Sequence, residues 1–293
     1  MKEIKNQLLK IANNINRSSE EVLTYHLLES VLRRVSDSIY VDELVLRGGM
    51  LTRLWVPPER RIAEDVDFLG LYDFDLEKTA EKFRNILKNT NNNTDKNTNF
   101  ADGVKFDIDS LEVMGIWLET EYPGARVNIN AAFEDYQKNI QIDIGFKDPI
   151  VPPPQWIDYP MLTIDESNKS KLLAATPETM FGWKLHGLVE NRMSQWRPKD
   201  LYDLMLFSLY VELDETLVKP AIFTAFNSRN TTFEDIYYML SNPQWWDRSK
   251  NRGKWKWYIR KKPEQTMPEF LEIVAIVSQR WGSTVKEIMD SGF

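Results

Sequence analysis

The sequence predicts an α+β fold: a mixed, largely antiparallel sheet with flanking helices, followed by a helical C-terminal domain. Three observations carry that prediction. Apolar residues recur at helical spacing over 18–36 and 76–87; between Gly103 and Phe146 the period falls to two; beyond about Ser170 it returns to helical spacing. The expected domains are residues 1–168 and 169–293.

Composition sets outer bounds. A chain of 293 residues with 42% hydrophobic content can bury one large core or two ordinary ones. The net charge of −7 argues against a general nucleic-acid coat protein but leaves room for a local basic patch. With no cysteine, disulfides, thiolate metal sites and a cysteine nucleophile are excluded. Only His26 and His186 offer imidazole, too few for a histidine-rich zinc site. The first sixteen residues lack a signal-peptide core, and no run of about 18 apolar residues occurs, so a cytoplasmic protein without membrane spans is expected.

Taken in order, the first long helix covers Ser18–Ser36, with Val22, Leu23, His26, Leu27, Val31, Leu32 and Val35 on its apolar side and Ser18 or Ser19 as cap. His26 reads as a core histidine. Leu44, Val45 and Leu46 form a short buried strand, Gly48 and Gly49 a tight turn, and Met50, Leu51, Leu54 and Trp55 the apolar side of a short helix ended by Pro57 and Pro58. A strand that turns on glycines into a helix makes a phosphate seat, because backbone without Cβ atoms can approach an anion closely. Asp65-Val66-Asp67-Phe68 follows as a strand with both carboxylates on one face. Two neighbouring carboxylates repel unless a cation lies between them, and their hard oxygens suit Mg²⁺ or Mn²⁺.

Leu76 to Leu87 is a second amphipathic helix, and the Asn/Thr-rich run Lys88–Asn99 a surface loop. The period-two region then divides into Val104–Ile108, Val113–Leu118, Val127–Ala131 and Ile140–Phe146, joined by short turns at Tyr122-Pro123-Gly124 and Glu134-Asp135 that suggest antiparallel neighbours. In the last strand Asp143 faces away from the core beside Gly145, which leaves room for a ligand. Asp107-Ile108-Asp109 is a second Asp-x-Asp, but no glycine turn precedes it and it reads as structural. Pro149 to Pro160, with five prolines, reads together with Asp165–Ser170 as a wrapping linker. Helices then open at Pro177 and Pro198, and a closing helix runs from Phe270 to Ile288. Lys184 falls among apolar residues and needs an anion: a triphosphate, or Asp200 or Asp203, which share a face of the next helix.

The segments Gly48-Gly49 with Asp65-Val66-Asp67, Asp102-Gly103-Val104, Tyr122-Pro123-Gly124-Ala125-Arg126-Val127, Ile142-Asp143-Ile144-Gly145-Phe146 and Arg197-Pro198-Lys199-Asp200-Leu201-Tyr202-Asp203-Leu204 together resemble the AbiEii/AbiGii toxin family. This is a branch of the polymerase-β-like nucleotidyltransferases, and the resemblance spans roughly Asn16 to Trp281. It implies a nucleotidyltransferase fold and a transfer of a nucleoside monophosphate from an NTP. Asp65 and Asp67 would hold Mg²⁺ or Mn²⁺, with Asp143 as the third sheet carboxylate. Gly48, Gly49 and Arg53 would meet the nucleotide, and Lys184, Asp200 and Asp203 of the helical domain would be carried to the active site, with Lys184 on the phosphates. The implied partners are an NTP, a tRNA 3′ end as acceptor and a cognate antitoxin. The alternatives are a protein acceptor, an inactive or weakly active RNA- or nucleotide-binding module, and a metal-dependent phosphodiesterase with a water nucleophile, against which the Gly48-Gly49 turn speaks.

Two residues depart from the family pattern. Met50 stands where many relatives have Ser or Thr, and Trp183 where many have Glu. The stretch Trp245–Lys262 interleaves basic residues with Trp246, Trp255, Trp257 and Tyr258, which suits either RNA contact or a helix packed by its tryptophans.

Overall fold

The computed structural model describes residues 2–61, 63–88, 102–162, 169–190, 192–261 and 267–292. The chain divides into two compact units. The first comprises residues 1–53, 61–148 and 155–174, and the second 54–60, 149–154 and 175–293.

The first unit is built on a seven-stranded sheet. Its strands are β1 (Leu44–Arg47), β2 (Val66–Gly70), β3 (Val104–Ile116), β4 (Gly124–Phe133), β5 (Tyr136–Phe146), β6 (Gln155–Tyr159) and β7 (Ser170–Ala174), in the order β3-β4-β5-β2-β1-β7-β6. Four of the six pairings are antiparallel; β2 with β5 and β1 with β7 are parallel. One face carries Val127, Ile129, Phe133, Ile140, Ile142, Ile144, Phe146, Val66 and Phe68, all buried. Helices α1 (Lys2–Asn14), α2 (Ser19–Ser36) and α4 (Leu76–Lys88) belong to this unit, and α2 and α4 pack on the sheet. Ser18 caps α2 in a reciprocal capping box with Glu21. His26 is a core residue: its Nε2 lies 2.9 Å from the Asp102 carbonyl and its ring meets Phe133 edge-on. Asp102 is itself spent structurally, bonded by Ser30, Arg34 and Arg33.

Several sequence expectations are corrected here. Val104–Ile108 and Val113–Leu118 are one strand, β3, interrupted only by a register shift between Asp107 and Glu112. The proline-rich linker contains β6, whose edge position tolerates prolines on either side. The helix after the glycine turn, α3 (Gly48–Thr52), stops before Leu54 and Trp55, which belong to the second unit, where Trp55 meets Phe207 edge-on at 5.7 Å. The Asn/Thr-rich run beyond Lys88 and most of Asp165–Ser170 lie outside the described residues. Asp107 stands exposed on the edge strand β3.

The second unit is helical: α5 (Pro177–Gly187), α6 (Pro198–Tyr210), α7 (Glu215–Asn227), α8 (Glu234–Ser241), α9 (Pro243–Trp246), α10 (Ser249–Arg260) and α11 (Phe270–Ser291). Thr176 caps α5 through the Thr179 amide, with Pro177 at the first position. The tryptophans make most of the core on one side. Trp196 and Trp255 stack on Phe270 at 5.8 and 5.6 Å, and Trp246 donates to the Met239 carbonyl at 2.7 Å. Buried Asn251 accepts from Trp196 Nε1 and donates to the Trp245 carbonyl, so this aromatic core keeps its polar atoms satisfied.

Candidate functional site

The site of the first unit lies on the sheet face opposite α2 and α4. Pairing of β1, β2, β5, β4 and β3 sets Arg47, Asp67, Asp143, Arg126 and Met114 side by side in one row. Alternation along each strand therefore sends Asp67 and Asp143 to the same side, away from the buried isoleucines. Asp65 precedes β2 by one residue and repeats the direction of Asp67. Thus the sheet brings Asp67 opposite Asp143 although 76 residues of chain separate them.

The glycine turn serves this row directly. Gly48 has φ +71°, a conformation that favours glycine, and a Cβ there would lie 1.9 Å from Asp67 Oδ2. A Cβ on Gly49 would meet Arg61 at 3.0 Å and Ala63 at 3.2 Å. The two missing side chains are therefore filled from within the fold. Gly48 lets the Asp67 carboxylate close on the backbone where β1 enters α3, and Gly49 lets Arg61 and Ala63 approach it. Thr52 closes the turn by donating to the Gly48 carbonyl at 2.8 Å. Met50 is wholly buried, so its side chain offers no phosphate contact.

Asp143 is held by two neighbours that sequence reasoning did not single out. Arg126 donates from Nε to Oδ1 and from Nη2 to Oδ2, both at 2.8 Å, and Gln141 Nε2 donates to Oδ2 at 3.1 Å. The Asp143 bonds, reinforced by the field of Asp65 and Asp67 and opposed by partial burial, hold the Arg126 guanidinium above the usual arginine range. Arg47 lies over Gly145, where a Cβ would fall 2.2 Å from its Nη2, and pairs with Asp148 at 2.7 Å. One arginine thus occupies the room that Gly145 leaves, and another balances three carboxylates.

Arg53 turns inward. Its guanidinium lies 4.6 Å over the Tyr25 ring and donates to the Tyr25 hydroxyl at 3.4 Å, within a buried group completed by Tyr159 and Glu29. Tyr159 bonds the Met50 carbonyl at 3.1 Å, which ties this group to α3.

In the second unit Lys184 pairs with Asp203 at 2.5 Å and stands 3.7 Å from Asp200. Asp203 is fully buried, and a Cβ on Gly187 would lie 2.9 Å from Asp200. The buried lysine thus finds its anion on α6, one of the two readings its sequence setting allowed. On α10 the aromatics divide: Trp255 is core, whereas Trp257 is 59% exposed with Lys261 3.8 Å from its ring, among exposed Lys250, Lys256 and Arg260.

Residues 30–286 match the family described as nucleotidyl transferase AbiEii toxin, Type IV TA system. The chain belongs to the AbiEii nucleotidyltransferase toxin family. Two solved structures share its fold. One is a Helicobacter pylori protein proposed to be a nucleotidyltransferase, at 14% identity and a TM-score of 0.51, covering 94% of this chain and 96% of that one. The other is JHP933 from the same organism, at 13% identity and a TM-score of 0.51, covering 94% of each chain. No curated protein matches. The chain is therefore a nucleotidyltransferase of a toxin–antitoxin family, with an NTP as the substrate such an enzyme requires. No helix among the described residues is long and apolar enough to cross a membrane.

For the cation such enzymes generally use, the donors are sorted unevenly. Among the described residues no group of three or more His, Cys, Asp or Glu is disposed to hold a metal. Asp65 and Asp67 offer hard oxygens from neighbouring positions, and Mg²⁺ is commonly held by one or two carboxylates with phosphate oxygens and water completing the shell. The pair fits that pattern. Both oxygens of Asp143, the third carboxylate, are engaged by Arg126.

Proposed function

We propose that this AbiEii-family enzyme transfers a nucleoside monophosphate from an NTP to the 3′ end of a tRNA, as the toxin partnered by a cognate antitoxin, with Asp65 and Asp67 holding Mg²⁺ or Mn²⁺. The observation that supports this most is the row itself: Asp67 drawn against Gly48 and in register with Asp143. The acceptor hydroxyl oxygen forms a bond to the α-phosphorus while the bond to the bridging oxygen breaks, and pyrophosphate leaves. Asp143 completes the cation's ligands or accepts the hydroxyl proton, and the Gly48–Gly49 backbone steadies the β- and γ-phosphates. The cation supplies neutralisation of charge on the phosphoryl oxygens. Positioning and charge neutralisation carry most of the acceleration, as in phosphoryl transfers generally. Lys184 is left out of this reading, because its ammonium is already paired with Asp203 and stands beside Asp200.

Protein, total tRNA, Mg²⁺ and each of four α-labelled NTPs provide the test, with Asp67→Ala alongside. Label on RNA that falls at least about 100-fold in the variant supports the reading, given what metal and oxyanion contacts contribute elsewhere. Label on protein retains the chemistry and overturns the acceptor. The acceptor surface favoured here is α10, where exposed Trp257 offers a stacking face among cations. Replacing Lys254, Lys256 and Arg260 together by Ala should weaken tRNA use about tenfold and flatten its salt dependence, leaving the NTP KM alone. Unchanged tRNA use would move the acceptor off α10.

A further inference from the structure

The Arg126–Asp143 pair poses a question that the proposed chemistry leaves open. A metal ligand or proton acceptor should be available, yet both Asp143 oxygens are taken by one guanidinium in two parallel 2.8 Å bonds, with Gln141 on the second oxygen. The Arg126 side chain is 33% exposed and that of Asp143 only 7%, so the guanidinium can be reached from solvent where the carboxylate cannot. Guanidinium also binds phosphate by the same two-pronged geometry with which it binds carboxylate. The groups facing Arg126 are Asp143, Asp65 and Asp67, all acidic, so the arginine supplies the positive charge that a cation at Asp65 and Asp67 would otherwise supply.

We infer that Arg126 is a phosphate-responsive positioning residue. Its guanidinium holds Asp143 in reserve until a substrate phosphate takes over its two bonds, and Asp143 then becomes available to the cation held by Asp65 and Asp67. No bond to phosphorus is made or broken in this step; one bidentate ion pair exchanges for another. The exchange couples phosphate binding to cation binding, so each tightens the other by the same factor. It also keeps the carboxylate row balanced before substrate arrives, since three acids close together without a counter-charge would repel. The phosphate has two possible sources, the NTP or the acceptor strand. Arg126 stands two strands from Asp67, on the side away from Gly48.

The inference rests on the proposed cation site and can fail separately from it. Mn²⁺ binding, read by electron paramagnetic resonance on the whole protein, is measured alone, with an α,β-methylene NTP analogue, and with total tRNA. In the wild type one of the two phosphate ligands should tighten Mn²⁺ about tenfold, within the usual range of coupling between sites. In Arg126→Ala, Mn²⁺ alone should already bind about tenfold tighter and the coupling should vanish. Arg126→Lys, which keeps the charge without the bidentate fork, should retain weak Mn²⁺ binding with reduced coupling. Coupling to the analogue assigns the NTP as trigger, and coupling to tRNA alone assigns the acceptor. Wild-type Mn²⁺ affinity indifferent to both ligands, or coupling undiminished in Arg126→Ala, overturns the role of Arg126 and leaves the cation site standing. Absence of Mn²⁺ binding in every protein and condition overturns the cation site and this inference together. Thermal melting of the variants verifies that each is folded.

Discussion

The Lys184–Asp203 and Arg126–Asp143 pairs differ in what surrounds them. Lys184 and Asp203 face each other between α5 and α6 with side chains 10% and 0% exposed. Arg126 and Asp143 lie on the sheet face away from α2 and α4, with the arginine 33% exposed and the aspartate 7%. Desolvation makes the first pair hard to separate: a partner that leaves strands a charge in a medium that cannot solvate it. In the second pair, water or a phosphate can replace the carboxylate at the guanidinium, and the buried Asp143 then needs a cation beside Asp65 and Asp67 as its counter-charge. A short ion pair read without its surroundings would assign both the same role. Burial makes Lys184–Asp203 a strut and leaves Arg126–Asp143 exchangeable.

The largest expected effect tests that contrast. Asp203→Ala should cost about 3–5 kcal/mol of stability, the usual result of removing one member of a buried pair. Asp143→Asn should cost about 1 kcal/mol or less, since its partner stays partly solvated, while transfer activity collapses. Denaturant midpoints beside label-transfer rates check both. The contrast sharpens if the double change Lys184→Met with Asp203→Leu recovers most of the stability, because similar-sized apolar residues remove the stranded charge. It breaks if Asp203→Ala is as stable as the parent.

How far the sequence foretold these arrangements depends on the distance over which each is specified. Gly48-Gly49 and Asp65-x-Asp67 are local, so a turn, a strand and two same-face carboxylates follow from neighbouring residues. Hydrophobic period alone announced β4 and β5. Arg126 went unnoticed because its partner lies across a hairpin, yet the signal was there: a two-residue turn at Glu134-Asp135 places Arg126 opposite Asp143. Strand β7 could not be found that way. Its pairing with β1 is parallel and joins segments more than a hundred residues apart, with only Leu172, Leu173 and Ala174 as an apolar signature. Strand β6 was hidden by its flanking prolines, which an edge strand tolerates. The roles of Gly48 and Gly49 were legible as backbone freedom, but that Asp67 and Ala63 fill the vacated space is a fact of packing.

A third buried charge extends the comparison to a carboxylate with no ion-pair partner in direct contact among the described residues. Glu29 on α2 is 1% exposed and accepts the Leu162 amide at 3.0 and 3.1 Å on its two oxygens. Burial pushes its pKa up to about 7 from 4.5, against the pull of Arg53, the Leu162 amide and Arg33. The unfolded chain holds that proton less tightly, so Glu29 favours the folded state below pH 4.5, and its contribution is lost as pH rises from there through about 7. Between those limits each pH unit costs up to about 1.4 kcal/mol, and above pH 7 the loss is complete. Glu29→Gln keeps an oxygen for the Leu162 amide and removes the titration. The variant should therefore show a flatter dependence of denaturant midpoint on pH between 4.5 and 7, and should exceed the parent in stability at pH 8 by about 1–3 kcal/mol. Because Glu29 shares its buried group with Arg53, Tyr25 and Tyr159, whose hydroxyl holds the Met50 carbonyl, the same titration reaches the helix behind Gly48. A parallel pH slope in parent and variant would show that Arg53 already pairs Glu29 well enough to keep it charged, which would place it with Lys184–Asp203 as a strut.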